Sequence, residues 1–461
     1  MQVRNALEGF DIDLIARYNV SGPRYTSYPT AKEFVEDFSA GQYIRALERI
    51  PSNAPLSLYL HVPFSATICY YCACNKIITN NRKHAVGYLE KLLQEIAMIP
   101  RWLKPGQRVE QLHFGGGTPT YFSEEQFEAV FAALNRNYDL AADDQRDFSV
   151  EIDPRTVDAA RIAHLANLGI NRVSLGVQDF DPAVQKAVNR IQSVAETVAV
   201  VDAARAEGMR SASLDLIYGL PLQSRQSFNE TLNKIIDIAP DRLSIYNYAH
   251  LPQMFKTQKQ INVVDLPASQ EKLGILADTI ARLTQAGYVY VGMDHFAKVS
   301  DPLAVALEDG TLRRNFQGYT THGYCDLIGF GVSAISQVNG VYSQNAKTLE
   351  GYQRALEQGR LPVERGVVLS TDDLITREVI ETLMTRFRLS MDTFSKRHHI
   401  DFRSYFAAEL ERLKECVEDD LVVMGDDTIE VTARGRFLIR NICMCFDAYL
   451  NTQAQAFSKA I

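Results

Sequence analysis

The sequence predicts an α/β fold in which an incomplete (β/α)6-type barrel is followed by a mostly helical domain. Short β-rich apolar runs alternate with amphipathic segments, no glycine-rich dinucleotide fingerprint follows the first run, and the alternation stops near residue 365. Alternating strands and helices are typical of parallel βα units. Without the dinucleotide fingerprint, a barrel is favoured over a doubly wound sheet.

The barrel strands are expected at the short runs that are rich in apolar and β-branched residues. These runs are 56–62, 109–114, 148–152, 172–177, 212–217, 243–248 and 288–293. Between them, apolar residues recur at three- and four-residue spacing, which predicts amphipathic helices. The predicted helices are 85–98, 124–134, 157–168, 193–207, 227–238 and 269–286.

The chain divides into three predicted parts. Residues 1–50 form an N-terminal extension expected to cover the barrel mouth, residues 51–365 form the barrel, and residues 366–461 form the C-terminal domain. In the last part, helical patterns at 372–387, 391–398 and 402–417 precede two apolar runs separated by Gly-Asp-Asp, and a final helix is expected from Thr432. Such a turn indicates a hairpin, so this domain is expected to be winged-helix-like.

Composition limits the possible partners and the compartment. The 461 residues carry a net charge of −8, which argues against nucleic acid as a partner because a phosphate-binding face needs a basic surface. No apolar run approaches the ~20 residues of a membrane span, and no basic-then-apolar leader opens the chain. Seven cysteines are an odd number, which argues against a disulfide framework. We therefore expect a cytoplasmic protein without a membrane span.

Polar residues stand at the end of each predicted strand, where catalytic groups of a barrel collect. They are Tyr59, His61, Gly115, Gly116, Gly117, Thr118, Glu151, Asp153, Gln178, Asp179, Asp215, Asn247, His250, Asp294 and His295. Any one of them singly is more often a strand-end cap or a loop hydrogen bond. Their recurrence after seven successive strands predicts a site at this edge.

Three cysteines, Cys69, Cys72 and Cys74, crowd into the segment after the first strand. Such density predicts thiolate ligation of a soft metal or an iron–sulfur cluster. Zinc is an alternative, but it usually takes two separated ligand pairs, and Cys443 and Cys445 would diverge on a helix. Buried, inert thiols are the other alternative.

The cysteine segment resembles a radical S-adenosylmethionine motif, since a cysteine at Ser65 would complete the spacing C-x3-C-x2-C with Cys69 and Cys72. Beyond this segment, the chain is similar to the oxygen-independent coproporphyrinogen III oxidase family over nearly its whole length. The motifs that carry the similarity are SGPRYTSYPT at 21–30, GGGTPT at 115–120, VEIDP at 150–154, GVQDF at 176–180, DLIYGLP at 215–221, NYAH at 247–250 and RNICMCF at 440–446.

The resemblance implies a reaction and its cofactors. A [4Fe–4S] cluster reduces S-adenosylmethionine, and the 5′-deoxyadenosyl radical removes a hydrogen from the β-carbon of a propionate. Loss of one electron and CO2 leaves a vinyl group, and two such rounds convert coproporphyrinogen III to protoporphyrinogen IX in heme biosynthesis. The resemblance also implies a reducing donor such as a flavodoxin-type system, an unidentified electron acceptor, and a monomer.

By similarity, Cys69 and Cys72 bind the cluster, and Tyr59 and Tyr71 lie against S-adenosylmethionine. Tyr59 and Glu151 are the predicted catalytic residues, and Glu151 also binds the cofactor. The remaining predicted cofactor-binding residues are Gly116, Gly117, Thr118, Gln178, Arg190, Asp215, Ala249 and Ile335. Arg190 suits a carboxylate through its forked guanidinium, although the residues alone would indicate a solvated arginine after a helix. Cys74 is not a ligand in the family pattern.

Arg24, Arg313 and Arg314 are our candidates for binding the substrate propionates. Several guanidinium groups are expected around a tetra-anionic porphyrinogen, because an unpaired carboxylate is costly to desolvate. For Arg313 and Arg314, a solvent-facing pair is the alternative.

Ser65 stands where the family motif has the third cluster ligand. A serine hydroxyl is a hard donor and a poor match for iron–sulfur chemistry. The cluster is then absent or incomplete, or Ser65 binds iron through oxygen, or Cys74 substitutes. Three functions remain open: the oxidase, a cluster-deficient relative that holds heme or a porphyrin without turnover, and a zinc-stabilised interaction module.

Overall fold

The computed structural model describes residues 10–142 and 144–450. Its helices are α1 Ile12–Arg17, α2 Ala40–Arg49, α3 Lys83–Met98, α4 Glu124–Asn137, α5 Ala159–Asn167, α6 Pro182–Ala187, α7 Val194–Ala206, α8 Arg225–Ile238, α9 Ser269–Gln285, α10 Pro302–Glu308, α11 Leu349–Glu357, α12 Thr371–Arg386, α13 Met391–His398, α14 Phe402–Tyr405, α15 Ala407–Glu418, α16 Ala433–Phe437 and α17 Ile439–Met444.

The strands are β1 Leu56–Val62, β2 Phe64–Ser65, β3 Ile77–Ile78, β4 Arg108–Gly116, β5 Asp139–Leu140, β6 Asp147–Ile152, β7 Arg172–Gln178, β8 Ser211–Tyr218, β9 Arg242–Asn247, β10 Tyr288–Gly292, β11 His295–Lys298, β12 Arg313–Asn315, β13 Gly318–Thr320, β14 Asp326–Phe330, β15 Ile335–Val338, β16 Val341–Asn345, β17 Val363–Val368, β18 Arg388–Ser390, β19 Val422–Met424 and β20 Thr428–Val431.

Six strands form the parallel sheet of the barrel, in the order β1, β4, β6, β7, β8, β9. In β6, β7 and β8, buried positions alternate with partly exposed ones, so one face of the sheet is covered and the other lines the barrel interior. The predicted partial barrel is therefore confirmed. Because all six carboxyl ends meet at one edge, the residues that follow them surround one mouth.

The strand predicted at 288–293 is present as β10, but it is not a parallel strand of the barrel. β10 does not join β9 directly; it forms an antiparallel hairpin with β11, and β11 is the strand that pairs with β9. The hairpin turn carries Asp294 and brings His295 level with Ser244 of β9. Only Met293 and Asp294 separate the two strands. The apolar content of this stretch does not indicate that the chain reverses there.

The sheet also continues on the other side of β1, which the sequence analysis did not predict. β14 pairs in parallel with β1, and β15, β16 and β17 follow as antiparallel strands. These strands have only four to six residues each, and polar residues or glycine interrupt their apolar residues, so the apolar pattern is weak. Helix α2 lies against them and contributes Tyr43 and Leu47 to the main core.

The last part of the chain has its own core, formed by α12 to α17 with α1 and residues 25 and 28. The predicted hairpin is present, since β19 and β20 are antiparallel and Gly425 N donates to Thr428 O. The helix expected at 402–417 is two helices that meet at Phe406, and the final helix is likewise divided at Leu438. None of the described helices has the length and apolarity that a membrane crossing requires.

Candidate active site

Tyr59, His113 and Glu151 stand side by side at the mouth, because β1, β4 and β6 are consecutive strands of the sheet. The Tyr59 ring stacks on His113 with centroids 5.9 Å apart. His113 Nδ1 is 2.7 Å from Ser149 Oγ, and its Nε2 is 3.4 Å from Glu151 Oε1. Glu151 keeps an accessible carboxylate, since 44% of its side-chain surface is exposed. It can accept hydrogen bonds from a ligand at the mouth.

The triple glycine after β4 brings backbone donors to the same place. Gly116 N donates to Glu151 Oε2 over 3.1 Å, and Gly116 has a φ of +117°, which side chains disfavour. A Cβ on Gly116 would lie 2.7 Å from the His61 ring, and one on Gly117 would lie 2.7 Å from Phe64 O. Glycine is therefore required for this turn to pass so close to β1.

Cys69 and Cys72 share one turn, in which Cys72 N donates to Cys69 O over 3.3 Å. The two sulfurs have different neighbours. Arg190 Nη1 lies 3.6 Å from Cys69 Sγ, whereas Cys72 lies beside Cys74 and Lys76. A hydrogen bond from Cys74 and the charge of Lys76 lower the pKa of Cys72 despite its burial. Cys72 thus lies in surroundings that favour its thiolate, and Cys69 lies against the buried guanidinium of Arg190.

Ser65 is buried at the start of this loop, in β2. Its Oγ lies 2.9 Å from Thr118 Oγ1, so the hydroxyl already has a partner next to the glycine turn. Among the described residues, no group of three or more His, Cys, Asp or Glu is gathered as a metal site. The soft or hydroxyl donors near the loop are therefore the thiols of Cys69, Cys72 and Cys74 and the hydroxyl of Ser65.

Arg190 connects the loop to the barrel. It is buried, donates to Asp153 Oδ2 over 3.2 Å and also donates to Gly176 O. Burial alone would lower the pKa of Arg190, but Tyr71, Asp153 and Cys69 raise it, so the guanidinium stays charged. Within the described residues its Nε has no hydrogen-bond partner. That orphaned donor is available to an anionic ligand group.

Asp215 and Gln178 occupy the neighbouring strand ends. Asp215 accepts a hydrogen bond from Ser174 Oγ over 3.1 Å, and burial together with Glu151 raises its pKa to about 6. Gln178 has a φ of +72°, and its Nε2 would lie 2.9 Å from a Cβ on Gly176. Both predicted residues therefore belong to the group around Glu151 and Arg190.

Ala249 and Ile335 lie at two sides of the same mouth. Ala249 O accepts from Gln258 Nε2, which also donates to Tyr71 O, so Ala249 adjoins the cysteine loop. Ile335 begins β15, and its carbonyl oxygen would be 2.5 Å from a Cβ on Gly329, the residue paired with Tyr59. The chain thus brings together residues that are far apart in sequence.

Two of the three predicted substrate arginines come together, and the third stands apart. Arg24 Nη1 is 2.5 Å from Asp294 Oδ2, and Arg314 Nη2 donates to Arg24 O over 3.3 Å. Arg313 instead donates to Leu312 O over 3.2 Å. Arg24 lies 5.6 Å from the Tyr246 ring centroid, which places this pair beside β9 at the mouth.

Sequence reasoning missed Arg440 as a member of this group. It is buried and donates to Pro23 O over 2.9 Å, and also to Gly22 O. Burial and the positive charge of Arg24 lower the pKa of Arg440 to about 10. Its position at the start of the motif at 440–446 was the available signal.

The family models and the curated relatives that match this chain agree with one another, and the relatives cover nearly all of it. The Radical SAM superfamily model matches residues 59–235, and the HemN C-terminal domain model matches residues 369–438. The curated oxygen-independent coproporphyrinogen III oxidase from Pseudomonas aeruginosa is 50% identical to this chain, over 98% of this chain and 99% of its own length. The one from Escherichia coli is 48% identical, over 98% of this chain and 98% of its own length.

A solved structure supports the same conclusion. Coproporphyrinogen III oxidase (HemN) from Escherichia coli, described as a radical SAM enzyme, superposes with a TM-score of 0.91 at 47% identity, covering 96% of this chain and 99% of that one. These findings favour the oxidase over the porphyrin carrier and the zinc module. The chain therefore belongs to the oxygen-independent coproporphyrinogen III oxidase family of the radical SAM superfamily.

Proposed function

We propose that this chain oxidatively decarboxylates two propionate side chains of coproporphyrinogen III to give protoporphyrinogen IX, without oxygen, in heme biosynthesis. The single observation that carries the proposal is the convergence of Glu151, the triple glycine and the Arg190–Cys69 contact at one barrel mouth. We further propose that the protein acts as a cytoplasmic monomer and receives electrons from a reducing donor of the flavodoxin type.

The mouth fits S-adenosylmethionine. Glu151 offers a carboxylate to an ammonium group, and the glycine turn leaves the space that Cβ atoms would fill. The orphaned Nε of Arg190 suits a carboxylate. The aromatic rings of Tyr59 and Tyr71 supply apolar faces for an adenosyl group. Gln178, Asp215, Ala249 and Ile335 complete the assigned contacts.

The fit to an iron–sulfur cluster is good for two donors and poor for the third. Cys69 and Cys72 would hold iron through thiolates, while Ser65 offers a hydroxyl oxygen that bonds to Thr118. When bound, the cluster and S-adenosylmethionine supply the radical chemistry that begins the oxidation. The chain's own residues bind and orient the reactants.

We assign Arg24 and Arg314 to the substrate carboxylates, with Arg440 as a third cation beside them. Asp294 pairs with Arg24, and the guanidinium groups of Arg314 and Arg440 lie close enough to add positive charge around this pair. The Tyr246 ring lies 5.6 Å from the Arg24 guanidinium, and burial together with the charges of Asp215 and Asp294 raises the pKa of Tyr246. Arg313 stays a prediction.

Exchange of Ser65 for cysteine tests the proposal. Under anaerobic reconstitution, Ser65→Cys should hold about four irons per chain, bind S-adenosylmethionine and form protoporphyrinogen, because a third thiolate replaces a hard donor. Iron and sulfide content, equilibrium binding and product formation are measured in parallel.

Thr67→Cys is the matched control, since it adds a thiol to the same loop at the wrong spacing. It should behave like the unmodified chain. If Ser65→Cys gains neither iron nor S-adenosylmethionine binding, the proposed function is wrong. If the unmodified chain already holds four irons and turns over, Ser65 or Cys74 serves as the third ligand, and Cys74→Ser in that chain separates the two.

A further inference from the structure

Two segments support the cysteine loop from outside the barrel. Val188 O accepts from Tyr70 N, and Asn189 Nδ2 donates to Ile68 O over 2.7 Å. On the other side, Thr257 Oγ1 donates to Cys72 O over 3.2 Å, and Gln258 Nε2 donates to Tyr71 O over 3.1 Å. The outer surface of residues 182–191 and 249–264, with Leu222, is called the loop face below.

A small apolar core holds the loop face together. Val184, Val188, Leu220, Tyr248 and Ile261 are buried in it, and Tyr70 and Tyr71 of the loop pack against it. Leu222 N donates to Asp265 O over 2.7 Å, so Leu222 is held against the end of the segment 249–264. The loop face is therefore one continuous structure over the cysteine loop.

Large apolar side chains on the loop face point to solvent instead of into this core. Ile191 is 63% exposed, Met254 52% and Val264 84%, and Leu222 and Val263 are also exposed. Single exposed apolar residues are ordinary, but a group around one loop is typical of an interaction site.

The loop face is also basic in an acidic protein. Residues 182–191 and 249–264 contain no Asp or Glu, although the chain carries a net charge of −8. Lys186, Lys256 and Lys259 are exposed there. An acidic molecule would be repelled by most of the protein and attracted to this face.

We propose that the loop face is the docking surface for an acidic protein that delivers single electrons to the cysteine loop. This inference rests on the proposed function, because only a reducible group in the loop needs a donor. Electron transfer falls steeply with distance, so a donor gains most by docking on segments that contact the loop directly, as Asn189, Thr257 and Gln258 do. Apolar contacts and a basic rim match the usual anatomy of a protein interface.

Binding of an acidic probe protein, oxidised flavodoxin, tests the proposal without requiring turnover. The dissociation constant is measured at low and high salt for the unmodified chain and for Lys186→Glu/Lys256→Glu/Lys259→Glu. The matched control is Arg360→Glu/Lys396→Glu/Lys414→Glu, which reverses three exposed charges elsewhere. Circular dichroism checks the folding of both variants.

We expect the loop-face variant to bind the probe at least tenfold more weakly at low salt, and the control to bind like the unmodified chain. Salt should weaken binding only where the loop-face lysines are present. Where a cluster assembles, reduction by flavodoxin should slow in the loop-face variant while reduction by dithionite is unchanged. Equal binding by both variants would overturn the docking surface even if the oxidase is active. Selective binding to a chain in which no cluster assembles, with or without Ser65→Cys, would overturn the proposed electron delivery, because the loop would then hold no group to reduce.

Discussion

The Arg190 guanidinium touches both Cys69, at 3.6 Å from Nη1 to Sγ, and Asp153, at 3.2 Å from Nη1 to Oδ2. One buried cation therefore ties the cysteine loop to the end of β6. Asp153 has a second partner, Arg155, whose Nη2 is 2.6 Å away. Burial would raise the pKa of Asp153, but Arg155 and Arg190 lower it, so the carboxylate is charged.

Arg190→Gln is expected to destabilise the protein by about 3 kcal/mol, because it breaks a buried ion pair. Arg155→Gln should cost less, since Arg155 is more exposed than Arg190 and, unlike Arg190, makes no contact with Cys69 or Gly176 O. Urea denaturation measures both free energies of unfolding. Arg190→Gln should also weaken S-adenosylmethionine binding in the Ser65→Cys background. Equal losses of stability in the two variants would contradict the assigned roles.

The buried Glu95 should make the free energy of unfolding depend on pH. It is buried and accepts hydrogen bonds from Gly331 N, Asn345 Nδ2 and Tyr352 Oη, yet burial raises its pKa from 4.5 to about 7. The folded state thus keeps a proton that the unfolded state loses. This contribution to stability is complete below pH 4.5 and is lost as the pH rises through 7.

Glu95→Gln should therefore flatten the fall in unfolding free energy over this range, by on the order of 3 kcal/mol. Denaturation curves between pH 4.5 and 8 measure it. Glu90→Gln, on the exposed face of the same helix, is the control and should keep the slope of the unmodified protein. A slope unchanged in Glu95→Gln would refute the assignment.

Gly117→Ala should disturb the mouth, since its Cβ would lie 2.7 Å from Phe64 O and 2.8 Å from Pro63 C. We expect a loss of about 1–3 kcal/mol in stability from this overpacking. Gly87→Ala has no atom within 4 Å of its new Cβ and lies in α3, so it should be neutral or stabilising. Thermal unfolding compares the two, and similar melting temperatures would show that the turn is adaptable.

Arg24 and Asp294 should affect substrate binding in opposite directions. Arg24→Gln removes a cation and should weaken coproporphyrin binding about tenfold, which corresponds to about 1.4 kcal/mol. Asp294→Asn releases Arg24 from its partner and should tighten binding. Fluorescence quenching measures both. Arg17→Gln, which removes a pair with Asp419 on the surface, is the control; if it matches Arg24→Gln, the substrate assignment is wrong.

The sequence was sufficient for the barrel strands, because each carries buried apolar residues at alternate positions and polar residues at its carboxyl end. β1 has the predicted bounds, and the residues expected at the mouth are gathered there. The sequence was insufficient for β14 to β17. These strands are short, and polar residues or glycine interrupt the alternation of apolar residues that would indicate a strand. Glu95 was missed although it follows Leu92 by three residues on the apolar face of α3, a position where an acid requires buried partners. The pairing of Arg24 with Asp294 depends on contacts across 270 residues, which local patterns do not encode.

The pairing of β1 with β14 has a consequence for synthesis of the chain. β1 carries Tyr59 and leads into the cysteine loop, but one of its two neighbours is made of residues 326–330. While the chain leaves the ribosome, β1 has an open edge until those residues emerge, and an open edge can pair with other chains. We expect iron delivery to act on the finished polypeptide, and chains cut before residue 326 to aggregate.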